Sequence, residues 1–367
     1  MPVSEPPIPT PTGEEQAAVQ RIMDELRAAG VDDQVLAEAA AEGVSAIRRV
    51  VARYLTFPGT RTYTKAEVYQ LSGVDDDYAR ALWRAMGFAE PPDDQKAFTD
   101  QDVEALKTAA RVFDRAGLDR PTSLQQARTM GLSVARVAFA NQDVIENFIA
   151  EPDPIERAEE AIALAKDTLP SLDALLVYMY RRHLAAATEQ QLLITGGEEG
   201  AVNMSVGFAD LSRFTSVSRE LEPGQLAALV EGFNAEASDV IVQHGGRLVK
   251  TIGDEVMFAS IEPAQAASIG LKLLDEVTPD KGYTPLRVGL ATGDVIAREG
   301  DLFGPTVNLA NRLVVVARPG TALIDRATRD ALRDDPSFDA TPIAQQHLKG
   351  LGRVRPYRLR AASETRV

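Results

Sequence analysis

The chain has 367 residues, of which 45% are hydrophobic, so it is long enough for two or three globular domains rather than one. Its formal net charge of −15 argues against general attraction to nucleic acid or to anionic membranes, since both require a basic surface. It has no cysteine, which excludes disulfides, zinc–thiolate sites and thiol nucleophiles and fits a reducing cytoplasm.

Residues 1–13 are rich in Pro, Ser and Thr and are predicted to form a disordered lead-in. They show no basic and apolar pattern of the kind found in signal peptides. No apolar stretch elsewhere reaches the length that spans a bilayer. We therefore expect a soluble, cytoplasmic protein without membrane insertion.

Helical periodicity dominates from residue 14 to residue 187. Ala-rich runs at 14–29, 35–53 and 155–166 place apolar residues at helical spacing, with Gly and Pro between the runs. The sequence predicts an all-helical domain over 14–187. A linker at 188–202, rich in Gly and Glu, is predicted to follow it.

Two amphipathic stretches meet at Ser72-Gly73 and look like a helix-turn-helix. Residues 61–117 carry 8 Lys and Arg against 11 Asp and Glu, a net charge of −3. Three consecutive aspartates, at 75–77, would lie near the recognition helix and face phosphates unfavourably. We therefore expect a packing or regulatory role for this segment, and no nucleic-acid partner.

Two aspartates in the second half of the chain each end a short β-like run. Asp210 follows the buried pattern of Val206 and Phe208, and Asp254 lies at a Gly-Asp turn that reads as a β-hairpin tip. The two could meet at one sheet edge and hold Mg²⁺ or Mn²⁺ together with phosphate oxygens of a substrate. For each aspartate alone, a turn or helix-cap role is the alternative.

Three further segments carry polar groups suited to a nucleotide. Lys250 precedes Asp254 by four residues, and Asn308 and Arg312 are four residues apart on one face of a predicted helix. An amide and a guanidinium presented together fit a ribose and a phosphate. Lys349 lies in a Gly-punctuated turn that could reach an anion. Ordinary surface positions are the alternative for each.

Together these segments resemble the catalytic domain of class III nucleotidyl cyclases, over about residues 203–359. The motifs are Phe-x-Asp-Leu-x-x-Phe-Thr from Phe208, Lys-x-x-Gly-Asp from Lys250, Asp-x-Phe-Gly-x-x-Val-Asn-Leu-Ala-x-Arg from Asp301, and the Lys-Gly turn at Lys349. The resemblance implies an α+β chain in which a ferredoxin-like βαββαβ catalytic domain over 203–367 follows the helical domain. A long helix at about 223–243 is expected between its first strand and the hairpin.

The resemblance also implies a metal site. Asp210 and Asp254 would bind two divalent ions, one activating the ribose 3′-hydroxyl and the other steadying the triphosphate. The segment from Phe208 to Thr215 would bind substrate, with backbone N–H groups offered to phosphate oxygens. No side-chain base needs to be postulated.

Purine preference follows from two positions of the motif. Adenylyl members of the family use lysine with aspartate or threonine where guanylyl members typically use glutamate and cysteine, and this chain has Lys250 and Asp301. A lysine donor and a carboxylate acceptor match adenine, whereas guanine presents the reverse pattern. The resemblance therefore implies ATP rather than GTP as substrate.

Contacts to the rest of the nucleotide are implied in the same way. Asn308 would orient the ribose, Arg312 would stabilise charge on the α-phosphate, and Lys349 would touch the terminal phosphates. Leu351 stands where many relatives have a second lysine, so Lys349 would act alone. Arg298 is a further phosphate contact or, equally, a solvated arginine in a hairpin loop.

The family's site is divided between two catalytic domains, so the resemblance implies a homodimer with two composite sites. Some bacterial soluble cyclases carry a helical N-terminal domain that restrains the dimer and responds to pH. His183 could bias such a switch, although a surface role is the alternative and His244 and His347 are equally available. A small molecule, a proton or a lipid are the candidate effectors of the helical domain.

Two other functions compete with this interpretation. A diguanylate cyclase is suggested by Gly-Asp-Glu at 253–255, which is similar to that family's hairpin. A non-enzymatic nucleotide sensor coupled to the helix-turn-helix-like segment is the other. The asparagine and arginine motif favours the class III enzyme over both.

Overall fold

The computed structural model describes residues 13–28, 30–149, 156–194 and 201–362. The predicted lead-in at 1–13 lies outside these residues, apart from Gly13, which begins a helix. Within the described residues, no helix is both long and apolar enough to cross a membrane. The chain divides into two compact units, 1–188 and 189–367.

The first unit is helical, as predicted. Its helices are α1 (Gly13–Ala28), α2 (Asp33–Glu42), α3 (Val44–Thr56), α4 (Lys65–Ser72), α5 (Asp76–Ala85), α6 (Asp100–Arg115), α7 (Arg120–Ile149) and α8 (Glu156–Ile194). The Ala-rich run at 35–53 is divided between two helices, because Gly43 adopts a φ of 102° and separates α2 from α3. The Ala-rich pattern is continuous there, so periodicity alone does not reveal the break.

Two separate apolar cores stabilise this unit. The first joins α1, α2 and α3 through residues such as Ile22, Leu36 and Ile47. The second joins α4, α5, α6 and α7 around Leu82 and Trp83. Since α5 buries Leu82 and Trp83 in that core, the helix-turn-helix-like pair contributes to packing in this unit.

The second unit is built on a mixed sheet. Its strands are β1 (Ala201–Leu211), β2 (Arg247–Ile252), β3 (Glu255–Ser260), β4 (Leu286–Arg298), β5 (Asp301–Phe303), β6 (Thr321–Ile324), β7 (Phe338–Pro342), β8 (Gln346–Leu348), β9 (Gly352–Val354) and β10 (Tyr357–Ala361). The helices are α9 (Phe214–Val217), α10 (Pro223–Gln243), α11 (Pro263–Glu276), α12 (Pro305–Val316) and α13 (Arg326–Ala331).

The order in the sheet is β2-β3-β1-β4-β6-β10-β7, with β5 paired to β4 and a separate β8-β9 hairpin. The first four strands, with α10 and α11 between them, form the predicted ferredoxin-like βαββαβ fold, which is confirmed. The helix expected at about 223–243 is α10. A Pro at its start and Gly245, at φ 75°, beyond its end give it clear limits.

Alternation along β1 separates the two faces of this sheet. Ala209 and Leu211 pack with α10 and α11, whereas Val206 and Phe208 pack with Ala310 and Val314 of α12. Because side chains alternate along the strand, Asp210 lies on the same face as Val206 and Phe208. It therefore lies on the face of the sheet that α12 covers.

The limits of the predicted linker and catalytic domain stay predictions. Helix α8 extends to Ile194 and β1 begins at Ala201, so the linker predicted at 188–202 overlaps both elements. Residues 195–200, which carry its Gly and Glu, lie outside the described residues.

Candidate active site

The structure brings Asp210 and Asp254 together. Asp210 is next to last in β1, and Asp254 lies in the two-residue turn between β2 and β3, where Gly253 has a φ of 61°. The backbone N–H of Leu211 donates to the carbonyl of Asp254 over 3.1 Å. The charge of Asp210 acts on the carboxyl group of Asp254, so the two acids lie close to each other. Two residues 44 positions apart in the sequence are thus brought together at the end of β1, beside the β2–β3 turn.

Burial and repulsion between acids raise the pKa of Asp254 and of its neighbour Glu255. Burial, and then the charge of Asp210, raise the pKa of Asp254. Glu255 lies opposite Asp210 in the β1–β3 register, and burial, followed by the charges of Asp210 and Asp254, raises its pKa to about 7. Because these carboxylates repel one another, a cation bound between them would be stabilising.

The donor set fits a hard divalent cation such as Mg²⁺ or Mn²⁺. No group of three or more His, Cys, Asp or Glu side chains is arranged as metal ligands in the part of the chain that the structure describes. Protein oxygens would therefore fill only part of a coordination shell here. This is usual for Mg²⁺, which keeps waters and takes substrate phosphates as ligands.

Arg287 is a member of this cluster that the sequence analysis missed. It lies opposite Asp210 in the β1–β4 register, and its Nη2 donates to Asp210 Oδ2. Glu255, Asp210 and Arg287 thus form a row across β3, β1 and β4. The Nε of Arg287 is buried and has no hydrogen-bond partner within the described residues. This row can be seen only from the pairing of the three strands, and that pairing cannot be read from the local sequence.

Lys250 and Asp301 are also brought together. Strand β5 folds back on β4, and Lys250 Nζ lies 2.5 Å from Asp301 Oδ2. Their side chains are 36% and 30% exposed, so the pair remains accessible to a ligand. Nearby, Arg247 donates to the carbonyl of Gly300 over 3.3 Å, which fixes the β4–β5 turn to β2.

Helix α12 carries Asn308 and Arg312. A Cβ added at Gly289 of β4 would overlap the backbone of α12, so only glycine permits this close approach of helix to strand. Thr306 Oγ1 donates to the carbonyl of Asp294 over 2.8 Å and anchors the first turn of α12. Asn308 is exposed and Arg312 half-buried, and neither side chain has a polar partner among the described residues.

The comparisons with known proteins agree with this geometry. The family described as the adenylate and guanylate cyclase catalytic domain matches residues 198–361. An adenylate cyclase of Glutamicibacter nicotianae is 35% identical over 321 residues, which cover 83% of this chain and 80% of that protein. The chain belongs to the class III cyclase family. The prediction of a class III adenylate cyclase is therefore confirmed.

Two further relatives extend the likeness of this class III cyclase. An adenylate cyclase of Streptomyces griseus is 40% identical over 270 residues, covering 73% of this chain and 67% of its own length. A pH-sensitive adenylate cyclase of Mycobacterium tuberculosis is 31% identical over 317 residues, covering 82% and 78%. The match to the latter is longer than the second unit, so it includes part of the helical unit of this cyclase.

For three other residues predicted for the cyclase site, the position in the structure does not decide their role. Lys349 is exposed in the turn between β8 and β9, anchored by the buried Leu348. Phe208 is 4% exposed in the core beneath α12, a placement that disfavours direct contact between its ring and a nucleotide. Thr215 lies in α9, and its side chain falls outside the described residues. Their roles stay predictions.

The remaining candidates of the cyclase lie on the surface. Arg298 is 73% exposed at the end of β4, 3.6 Å from Glu299, which fits the solvated alternative. His244 ends α10, with Nδ1 2.9 Å from the carbonyl of Val240. His183 on α8 and His347 on β8 are exposed.

Proposed function

We propose that this class III cyclase converts ATP into 3′,5′-cyclic AMP and pyrophosphate. The observation that carries the proposal is the Lys250–Asp301 pair, which combines the donor and the acceptor that adenine requires. Lys250 lies in register with Met257, on the same face of the sheet as Asp210 and α12. Relatives named adenylate cyclase, matched over most of this chain, support the same substrate.

The base would be selected when Lys250 and Asp301 give up their hydrogen bond to each other and form hydrogen bonds to the purine instead. In the chain without nucleotide, Lys250 and Asp301 satisfy each other. Adenine would accept a hydrogen bond from Lys250 at N1 and donate one from its N6 amino group to Asp301. Guanine would face lysine with an N–H donor and aspartate with an oxygen acceptor. Both groups would then lose a partner, which strongly disfavours GTP.

Asp210 and Asp254 would hold two divalent ions, Mg²⁺ or Mn²⁺, which when bound make the 3′-hydroxyl easier to deprotonate and neutralise charge on the triphosphate. Asn308 would orient the ribose, Arg312 would stabilise charge on the α-phosphate, and Lys349 would contact the terminal phosphates. The 3′-hydroxyl would give its proton to water, and the 3′-oxygen would bond to the α-phosphorus as the bond to the β-phosphate oxygen breaks and pyrophosphate leaves in line.

Product analysis tests the activity. The full chain is incubated with Mn²⁺ and either ATP or GTP, and the products are identified by mass. Cyclic AMP with pyrophosphate is expected, with far less cyclic GMP. A cyclic dinucleotide formed from two molecules of GTP would support the diguanylate cyclase alternative, and absence of any product would contradict the proposal.

We further propose a homodimer with two shared sites, since Asn308 and Arg312 have no polar side-chain partner among the described residues and are available to a nucleotide held by a second chain. Mixing an inactive Asp210→Ala protein with an inactive Arg312→Ala protein should restore part of the activity, because one of the two sites in each mixed dimer is intact. Mixed dimers that remain inactive, although each variant is folded, would rule out sharing.

Regulation by the helical domain, taken as 14–187, is also proposed, with a proton, small molecule or lipid as effector. It rests on the pH-sensitive relative, whose match extends into this region. Removing residues 1–195 should raise activity and flatten its pH profile. An unchanged pH profile would exclude a pH sensor in residues 1–195, including His183. His244 and His347 would then remain as candidate sensors.

A further inference from the structure

A cavity of roughly 350 Å³ lies within the helical unit, away from every residue assigned above. It is bounded by α2, α3 and the segment that connects α3 to α4. Val31, Val35 and Val50 form an apolar wall, and Tyr54 and Phe57 add two aromatic rings. Phe57 is 48% exposed, although its ring would gain from burial. This volume is at the lower end of the range for small-molecule pockets.

Three cations line the same cavity. Arg53 comes from the last turn of α3, Arg61 from the α3–α4 connection and Lys96 from the α5–α6 connection. None of the three forms an ion pair with a described residue. Burial, together with the charge of Arg61, lowers the pKa of Arg53, so the two guanidinium groups are close enough to repel each other. In a chain with a net charge of −15, this convergence of three cations requires an explanation, although Lys96 also acts on the carboxylate of Glu67.

The two acids in the lining do not neutralise these cations. Asp32 accepts from the backbone N–H of Gln34 over 2.7 Å as the cap of α2. Glu38 accepts from the side chain of Gln34 over 3.0 Å. Both carboxylates keep their charge, but neither forms an ion pair with Arg53, Arg61 or Lys96, so these cations can still pair with an anion from solution.

We propose that this cavity binds a small phosphate monoester that carries an aromatic or other apolar group. Planar guanidinium groups pair with phosphate oxygens in a bidentate manner, and three cations match a group that carries close to two negative charges. The ring of the ligand would lie against Tyr54 and Phe57, where its apolar area leaves water.

Binding at this position would join the two halves of the helical unit. Thr60 Oγ1 donates to the carbonyl of Gly30 over 2.7 Å, and Gln101 Nε2 donates to the carbonyl of Pro58 over 2.7 Å. These bonds already link the α3–α4 segment to both cores. A ligand held by Arg53 on one side and Lys96 on the other adds a further link and should raise the melting temperature.

Calorimetric titration of the full chain with phenyl phosphate tests the inference. We expect saturable binding of one molecule per chain, with phenol and inorganic phosphate each binding at least tenfold more weakly because each lacks half of the recognised chemistry. The Arg53→Gln/Arg61→Gln variant should bind phenyl phosphate at least tenfold more weakly, since a hydrogen bond to a charged group contributes roughly a factor of ten or more.

The controls separate this site from others. Arg49→Gln/Arg111→Gln removes the same charge outside the cavity and should leave the affinity unchanged. Arg312→Ala should also leave it unchanged, since the proposed nucleotide site is not involved. Without ligand, Arg53→Gln/Arg61→Gln should melt no lower than the parent, because it removes two charges that repel. If that variant fails to fold, Lys96→Gln alone should weaken binding several-fold.

Three results would overturn the inference. One is equal affinity of the parent and the cavity variants for phenyl phosphate. Another is inorganic phosphate binding as tightly as phenyl phosphate, which would mean an adventitious anion only. The third is binding that is lost in Arg312→Ala but kept in Arg53→Gln/Arg61→Gln, which would place the ligand in the nucleotide site.

Discussion

One face of the sheet carries two charged sets that are balanced in opposite ways. At the end of β1, the three acids Asp210, Asp254 and Glu255 lie beside Arg287, and the charge of Lys250 also acts on Glu255. Between β2 and β5, Lys250 and Asp301 form a one-to-one pair. The first set has an excess of negative charge that a bound cation, or protonation of Glu255, reduces. The second is already neutral and must open to admit a ligand. In the function proposed above, the two sets would select by different physics, charge for the metal ions and hydrogen-bond pattern for the base.

The largest effect is expected from the acid-rich set. Asp254→Asn keeps the shape of the side chain but removes its charge, so activity with ATP should fall by a factor on the order of 10³, equivalent to a loss of several kcal/mol of transition-state stabilisation. Mn²⁺ binding followed by electron paramagnetic resonance should weaken in parallel. Asp239→Asn, an exposed acid on α10, is the matched control. Activity within tenfold of the parent would show that Asp254 holds no essential ion.

The neutral set should respond in specificity. In Lys250→Glu/Asp301→Cys the donor and acceptor positions suit guanine, so the ratio of kcat/KM for ATP over GTP should fall by at least about 10²-fold. Lys250→Gln alone should lower activity with ATP and gain little with GTP. Loss of activity with both purines at an unchanged ratio would mean that the pair supports the fold rather than reading the base.

Replacing Arg287 tests whether the acid-rich set needs its own cation. Arg287→Met frees Asp210 to turn away, and Mn²⁺ binding should weaken by about 10 to 100-fold, the usual effect of losing a group that orients a metal ligand. Arg287→Lys should recover part of the affinity, and Arg318→Met should have no effect. Tighter binding of Mn²⁺ would show instead that Arg287 competes with the ion for Asp210.

The smallest expected effect is on stability. Because the folded-state pKa of Glu255 is raised from 4.5 to about 7, the folded protein binds its proton more tightly than the unfolded chain does. Stability from this group is therefore greatest at low pH and is lost as pH rises from about 4.5 to about 7. One pKa unit corresponds to about 1.4 kcal/mol, and solvent screening of a part-exposed group reduces the total to about 1–2 kcal/mol.

Glu255→Gln removes this titration. At pH 8, without divalent ions, the variant should be more stable than the parent by that amount in urea unfolding, and the two should converge near pH 4. A constant difference across the range would attribute the effect to packing. The same comparison with saturating Mn²⁺ should give a smaller difference, since the bound ion already compensates the charge.

Local signals in the sequence account for much of this architecture. The Gly253-Asp254 turn, the limits of α10 and the spacing of Asn308 and Arg312 on α12 all follow from short-range chemistry. The row of Glu255, Asp210 and Arg287 does not, because pairing across three strands is set by register, which depends on the whole sheet.

Two further features show the same limit. The fold-back of β5, which brings Asp301 to Lys250, depends on pairing with the far end of β4. The break at Gly43 lies inside an uninterrupted Ala-rich run, so the helical period gives no sign of it. The residues of the site could be named from motifs, but the partners that hold those residues required the tertiary structure.

The close approach of α12 to β4 limits how this molecule can be switched. With no side chain at Gly289 to act as a spacer, the helix rests on the strand backbone, and the bond from Thr306 to Asp294 fixes its first turn. Asn308 and Arg312 are therefore held on a helix that is fixed to the sheet at two points. In the proposed homodimer, a signal that opens or closes the reaction centre would then reorient whole subunits rather than move this helix alone.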